Sequence, residues 1–136
     1  MNNQGFANLL IARKLIFQTI DLAQEKSQEF LSKDNITIAD FDKIFEEIEI
    51  PLCIIADDMA IVIHQELLNP VTDCQNEIES VCKQIQESLK KSQNFEIFIV
   101  ILKELVNYFH HIINSKDAYP ETSKIFDGIK SICNHY

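Results

Sequence analysis

Two aspartates and two histidines are the side chains whose types and spacing could hold a metal ion or a small ligand. Asp57, Asp58 and His64 fall in one helical segment, where residues seven apart share a face two turns apart. His110 lies in a second apolar segment that could pack against the first. Carboxylate oxygens and imidazole nitrogens are common metal ligands. A metal- or small-ligand-binding bundle is therefore one function that the sequence allows.

The same residues also have a simpler interpretation. The Glu-x-x-His pair typical of di-iron bundles is missing from the chain, so the metal site is the alternative hypothesis rather than the leading one. Asp57 and Asp58 could instead lie on a narrow exposed strip. His110 and His111 fall near a helix end, where the helix dipole favours cations. We expect no bound cofactor.

Motifs for catalysis are missing as well. The chain has two glycines, Gly5 and Gly128, and none in the 122 residues between them. Phosphate-binding loops, dinucleotide-binding turns and nucleophile elbows need glycine where the backbone turns sharply or approaches a ligand. The signatures G-x-S-x-G, H-E-x-x-H and G-K-[ST] do not occur. We therefore expect a protein that is not an enzyme.

Acidic residues dominate the middle of the chain. The formal net charge is −9, and Lys43 is the only Lys or Arg between residues 34 and 82. Such a surface disfavours nucleic acid and anionic membranes and attracts basic partners. The sequence predicts a docking surface for a protein partner, with a solvated acidic face as the alternative. The candidate docking acids are Asp40, Asp42, Glu46, Glu47 and Glu49.

A narrow apolar seam is a second candidate for recognition. Its residues recur at three- and four-residue steps from Val71 to Leu89, around and along the helix that Thr72 is expected to cap. The seam could pair with a partner helix, or with its own copy to form a homodimer. Packing inside this chain is the alternative. The seam residues named as candidate contacts are Val71, Ile78, Ile85 and Leu89.

Helical periodicity positions all these residues. Apolar side chains recur every three or four residues in four long segments, with shorter helices after Thr37 and after Pro120. Thr37 and Asp40 match a capping box, and Pro51 is expected to end or kink the helix that they start. The long segments are 4–32, 52–68, the stretch after Thr72, and 95–114.

The sequence therefore predicts an all-α fold, a single domain over residues 1–136 made of about five helices. Two segments, 52–68 and 95–114, are apolar almost all round and are expected at the centre of the bundle, wrapped by the others. Two alternatives for the outer surface stay open. The other helices cover both central ones, or dimerisation supplies the missing cover.

Class and location follow from what the chain lacks. No signal peptide or apolar run of about 20 residues is visible, and none of the four cysteines forms a C-x-x-C pair. We expect a cytoplasmic protein with reduced, largely buried cysteines. The leading hypothesis for function is a small acidic binding or regulatory protein: an adaptor, a chaperone-like escort, an inhibitor or a neutralising partner. It would act through helix surfaces and the acidic region 34–82.

Overall fold

A computed structural model describes residues 3–66, 75–91, 95–115 and 122–135. Apart from residues 33–37 and Ser115, these parts of the chain are helical, with no strand among them. The helices are α1 (Asn3–Ser32), α2 (Ile38–Ile44), a π-helical turn (Phe45–Glu49), α3 (Ile50–Glu66), α4 (Gln75–Lys91), α5 (Phe95–Asn114) and α6 (Thr122–His135). The prediction of an all-α bundle of about five helices is confirmed, since α2, the π turn and α3 form one continuous rod.

We call residues 38–66 the acidic rod. It starts with the predicted capping box: the Asp40 amide donates to the Thr37 hydroxyl, and the Thr37 amide donates to the Asp40 carboxylate, both at 3.1 Å. Pro51 does not end the helix. Its ring would crowd the carbonyl four residues back, and it has no N–H to donate. The π turn just before it, where the Ile50 amide donates to the Phe45 carbonyl, widens the backbone at this point and lets the helix continue.

α1 ends in a turn that the sequence marks only as a break. The Asp34 amide donates to Leu31 O at 3.1 Å and the Asn35 amide to Phe30 O at 2.9 Å, which is the Schellman pattern. Asp34 takes the left-handed conformation with φ of 57°. Glycine is the usual residue there, and this glycine-poor chain uses an aspartate instead.

The helices close a ring in the order α1, α3, α5, α6, α4 and back to α1. The Arg13 Nε atom donates to the Ala56 carbonyl at 3.0 Å, and Gln24 bonds to Glu49, so α1 and the rod run antiparallel. Phe30 near the end of α1 contacts Phe95 and Phe98 at the start of α5, so α5 also runs against α1. α1 contacts every other helix of the described chain.

The core lies inside this ring and draws on all the helices. Each fully buried leucine, isoleucine or phenylalanine contributes about 1.5–3 kcal/mol relative to an exposed one. The largest fully buried side chains are Leu9, Leu15, Ile16, Ile44, Ile48, Leu52, Met59, Ile85, Leu89, Phe98, Ile101 and Phe109.

One expectation about the centre of the bundle needs correction. α3 is not wrapped on all sides, because the exposed fractions of Ile50, Ile54 and Ile61 are 39%, 55% and 57%. α5 buries most of its apolar side chains but also exposes Ile97 and Val100. In the ring, α1 is the helix with the most neighbours, and α3 keeps an outer face.

Candidate interaction surface

The proposed metal ligands do not form a cluster in the described structure. Asp57 and Asp58 are exposed on the outer side of α3. His110 is exposed on α5, with one ring nitrogen 3.2 Å from the Asn114 amide nitrogen. The side chain of His64 lies outside the described residues. No group of three or more His, Cys, Asp or Glu side chains arranged for a metal ion occurs in the described ranges.

The apolar seam of α4 faces the inside of the bundle. Ile78, Ile85 and Leu89 are buried, and α4 contacts α1 and α6. Val71 lies outside the described residues. For these three side chains, packing inside the chain is therefore what the structure shows, and they are not available as a docking surface.

Four of the five candidate acids lie at the start of the rod on accessible side chains. Asp42 and Glu46 are exposed, and half-buried Asp40 is engaged in the capping box. The exposed carboxylate of Glu47 lies 3.5 Å from the Lys103 ammonium of α5. Such an exposed ion pair contributes between zero and about 1 kcal/mol. These acids are thus compatible with a role at the surface.

Glu49 is the exception, and it has to be removed from the candidate docking acids. Only 6% of this residue is exposed, and its carboxylate accepts a hydrogen bond of 2.5 Å from the Gln24 amide of α1. A buried carboxylate needs hydrogen-bond donors to replace water, and Gln24 supplies one. Glu49 therefore joins the rod to α1 rather than facing a partner.

Sequence reasoning missed the exposed apolar side chains of the rod, since it expected residues 52–68 to be wrapped on all sides and gave the exposed ones no role. The described structure has eight large apolar side chains that are well exposed, and five of them lie on this rod. The five are Ile38, Phe45, Ile50, Ile54 and Ile61. Exposed apolar residues that share one face often mark interaction sites, whereas single ones are ordinary.

Three of these isoleucines share a face with two carboxylates. We call Ile50, Ile54, Asp57, Asp58 and Ile61 the α3 face; their spacing along the helix puts them on one strip. A signal for this strip was present in the sequence. Asp57 and Asp58 interrupt an apolar segment, so residues three or four positions away from them share the side that faces water.

The charge around the α3 face is strongly negative. The rod holds eight acidic residues and one basic residue, so it carries a formal charge of −7 out of the −9 of the whole chain. Two cations of neighbouring helices contact the rod itself. Arg13 donates to Ala56 O and lies 4.7 Å from the centre of the Phe17 ring, and Lys103 pairs with Glu47. The surface thus combines apolar area with negative charge.

The three described cysteines are free and differ in their surroundings. Cys53 is exposed beside the α3 face, which corrects the expectation of a buried thiol. Cys133 is buried, and burial raises the pKa of its thiol to about 11, against a smaller lowering by a hydrogen bond with Ser88. Burial, and then the charge of Glu79, also raise the pKa of half-buried Cys82. Cys74 lies outside the described residues.

Two further findings bear on function. None of the described helices is long and apolar enough to span a membrane. Comparison of the chain with protein-family models, with curated proteins and with solved structures found no match.

Proposed function

We propose that this chain is a non-enzymatic binding protein whose α3 face docks a basic amphipathic helix of a partner protein. The observation that supports the proposal is the strip of three exposed isoleucines with two aspartates on one helix face. Helices that dock on such a strip present apolar anchors at three- and four-residue steps, with charged residues at the edge of the contact.

The two kinds of residue on the face have different roles. Covering the exposed parts of Ile50, Ile54 and Ile61 removes apolar area from water, which contributes roughly 25 cal/mol per Å² before the cost of association. Asp57 and Asp58 would pair with lysines or arginines of the partner and speed its approach. Apolar burial supplies the affinity, and charge selects the partner.

The same charges argue against a second copy of this chain as the partner. Two α3 faces in contact would bring Asp57 and Asp58 of both copies together, and each rod carries a formal charge of −7. Juxtaposed like charges disfavour an interface by up to several kcal/mol. A basic partner relieves this repulsion, so the proposal commits to a basic helix rather than to a homodimer.

A pair of synthetic peptides tests the proposal directly. One is an 18-residue amphipathic helix of leucine and lysine, and the other has the same pattern with glutamate for lysine. Fluorescence anisotropy of each labelled peptide, titrated with the full chain, gives the two dissociation constants. We expect the basic peptide to bind at least about tenfold more tightly at low salt, and this preference to shrink as salt screens the charges.

Matched variants locate the contact. Asp57→Asn with Asp58→Asn should weaken the basic peptide about fivefold or more, and Ile54→Ser should weaken it by a similar factor. The control is Asp21→Asn with Asp127→Asn, exposed acids of α1 and α6 that change the net charge by the same amount. Equal losses in the control pair, or equal binding of both peptides, would reject the α3 face as the docking site.

A further inference from the structure

A cleft at one end of the bundle gathers lysines from two helices of this acidic protein. It lies beside the C-terminal ends of α1 and α4 and has a volume of about 350 Å³. We call it the lysine cleft. Its lining residues are Lys26, Glu29, Phe30, Lys33, Asn35 and Lys90.

Local structure explains why these side chains meet. Lys26 and Glu29 are three residues apart on α1, so they share one face, and Lys33 follows directly after its last residue, four positions from Glu29. The Schellman turn at the end of α1 keeps Lys33 and Asn35 beside the opening. Lys90 belongs to α4, which packs against α1. Two helix ends thus bring three lysines to one cleft, although the chain as a whole carries a charge of −9.

The cleft already holds one anionic group, the carboxylate of Glu29. Its Oε1 atom lies 3.0 Å from the Lys33 ammonium and 3.6 Å from that of Lys26. The hydrogen bond from Lys33, followed by the charge of Lys26, holds the pKa of Glu29 below its usual value. These lysines therefore stabilise an anion at this position.

The surroundings of Lys26 and Lys90 determine how much positive charge the cleft offers to a ligand. The Lys26 side chain is only 13% exposed, and its ammonium lies 5.1 Å from the centre of the Phe30 ring. Lys90 is exposed, and no carboxylate of the described chain pairs with it. With three cations and one carboxylate, the lining has an excess of positive charge.

We propose that the lysine cleft binds a small multiply charged anion, a molecule that carries phosphate groups, with Glu29 as an internal competitor for the lysines. Lysine ammoniums bind phosphate oxygens as point charges, and a phosphate dianion matches the excess charge of the lining. The volume suits a small molecule rather than a protein segment. The inference concerns different helices from the α3 face and stands independently of the proposed function.

The alternative role for these lysines is neutralisation of the helix ends. α1 and α4 both end at the cleft, and basic residues near a helix C-terminus offset its partial negative charge. That role needs no ligand. It also predicts that Glu29 opposes stability at the helix end, whereas the proposal predicts that Glu29 opposes ligand binding.

Titration with pyrophosphate, followed by the backbone amide signals in ¹⁵N-edited NMR spectra at constant ionic strength, tests the proposal. We expect saturable shifts at Glu29, Lys33 and Asn35. Lys33→Gln and Lys90→Gln should each weaken binding about fivefold or more, because each removes one cation of the cleft. The matched control is Lys83→Gln, an exposed lysine of α4 two turns away, which should leave the dissociation constant within about twofold.

The Glu29→Gln variant separates the two roles. Removal of the competing carboxylate should tighten pyrophosphate binding about fivefold or more, and the unchanged circular dichroism spectrum would show that the fold is kept. The proposal is overturned if neither the wild type nor Glu29→Gln shows saturable shifts up to about 10 mM pyrophosphate. That concentration is high enough to detect a weak site with a dissociation constant on the order of 1 mM. Equal weakening by Lys83→Gln and Lys90→Gln would also overturn it, because binding would then follow net charge alone.

Discussion

The α3 face and the lysine cleft show how far two surfaces of one small protein can differ. The α3 face combines exposed isoleucines with aspartates on a rod whose formal charge is −7. The lysine cleft is lined by three lysines and one carboxylate where α1 and α4 end. A net charge describes the average of such surfaces, and a partner meets only one of them. The charge of −9 therefore agrees with the basic partner proposed for the rod but gives no indication of the anion proposed for the cleft.

The two surfaces are also built in different ways. The cleft uses residues that helix ends need in any case, such as lysines in the last turns and a Schellman turn. The α3 face uses isoleucines that the core does not need, since the ring already buries the opposite side of α3. This difference makes the α3 face the stronger candidate for a dedicated interaction surface.

The largest expected effect is a difference in unfolding free energy between substitutions on the buried side and on the exposed side of α3. Ile55 is 4% exposed and Ile54 is 55% exposed, although they are neighbours in the chain. Ile55→Ala should lower the free energy of unfolding by about 2–4 kcal/mol, because it leaves a cavity in the core. Ile54→Ala should change it by no more than about 0.5 kcal/mol. Urea unfolding of both variants makes the measurement. If the two losses are equal, the α3 face is structural and the contrast with the cleft fails.

The rate of thiol modification should differ strongly between exposed and buried cysteines. In a Cys74→Ser background, a disulfide reagent at pH 8 should modify Cys53, beside the α3 face, at least about 100-fold faster than Cys133. The raised pKa of Cys133, about 11, leaves little thiolate at that pH, and burial blocks the reagent. Peptide mapping by mass spectrometry identifies which thiol reacts. Comparable rates would mean that α6 opens readily.

The same pKa has a consequence for stability at high pH. The pKa of the Cys133 thiol is raised from its ordinary value of 9.0 to about 11 in the folded chain. As the pH rises, the unfolded chain therefore loses this proton first. The contribution of Cys133 to stability is therefore complete below pH 9.0 and is lost as the pH rises towards 11. Cys133→Val should show a smaller loss of stability than the wild type over that window. If the variant and the wild type lost the same stability over this window, the loss would not come from Cys133.

The helices could be predicted from the sequence because their signals are local. The Thr37–Asp40 capping box and the helix Phe95–Asn114 were predicted with the boundaries that the structure shows. Periodicity does not reveal how many neighbours a helix has. The sequence of α3 is apolar almost all round, so its isoleucines are expected in the core. The ring leaves one face of α3 on the outside, and the isoleucines of that face are therefore exposed.

The candidate sites depend on register between distant segments, and the sequence does not encode that register visibly. Glu49 was grouped with the exposed acids, but the packing of α1 against the rod places Gln24 beside it. The lysine cleft escaped notice for the same reason. Lys26 lies on α1 and Lys33 directly after it, whereas Lys90 comes from a helix far along the chain.

Loss of the contact between Gln24 and buried Glu49 should affect stability more than loss of the exposed pair between Glu47 and Lys103. Gln24→Ala should cost about 1–2 kcal/mol of unfolding free energy, because it removes the amide that bonds to the buried Glu49 carboxylate. Glu47→Gln removes only an exposed pair with Lys103 and should cost less than about 0.5 kcal/mol. Thermal unfolding of both variants compares them. Equal effects would return Glu49 to the surface acids.

The smallest effect concerns the turn beside the lysine cleft. Asp34 holds a φ of 57°, a conformation that costs a residue with a side chain about 1 kcal/mol relative to glycine. Asp34→Gly should therefore raise the free energy of unfolding by about 0.5–1 kcal/mol, since the gain is reduced by the greater freedom of glycine in the unfolded chain. Asp34→Ala, which keeps the strain, should give no such gain. Asp34 does not line the cleft, so pyrophosphate affinity should stay within about twofold in the glycine variant. A stabilised protein with weakened binding would instead mean that the cleft depends on the strained turn, and the two surfaces would then differ in rigidity as well as in charge.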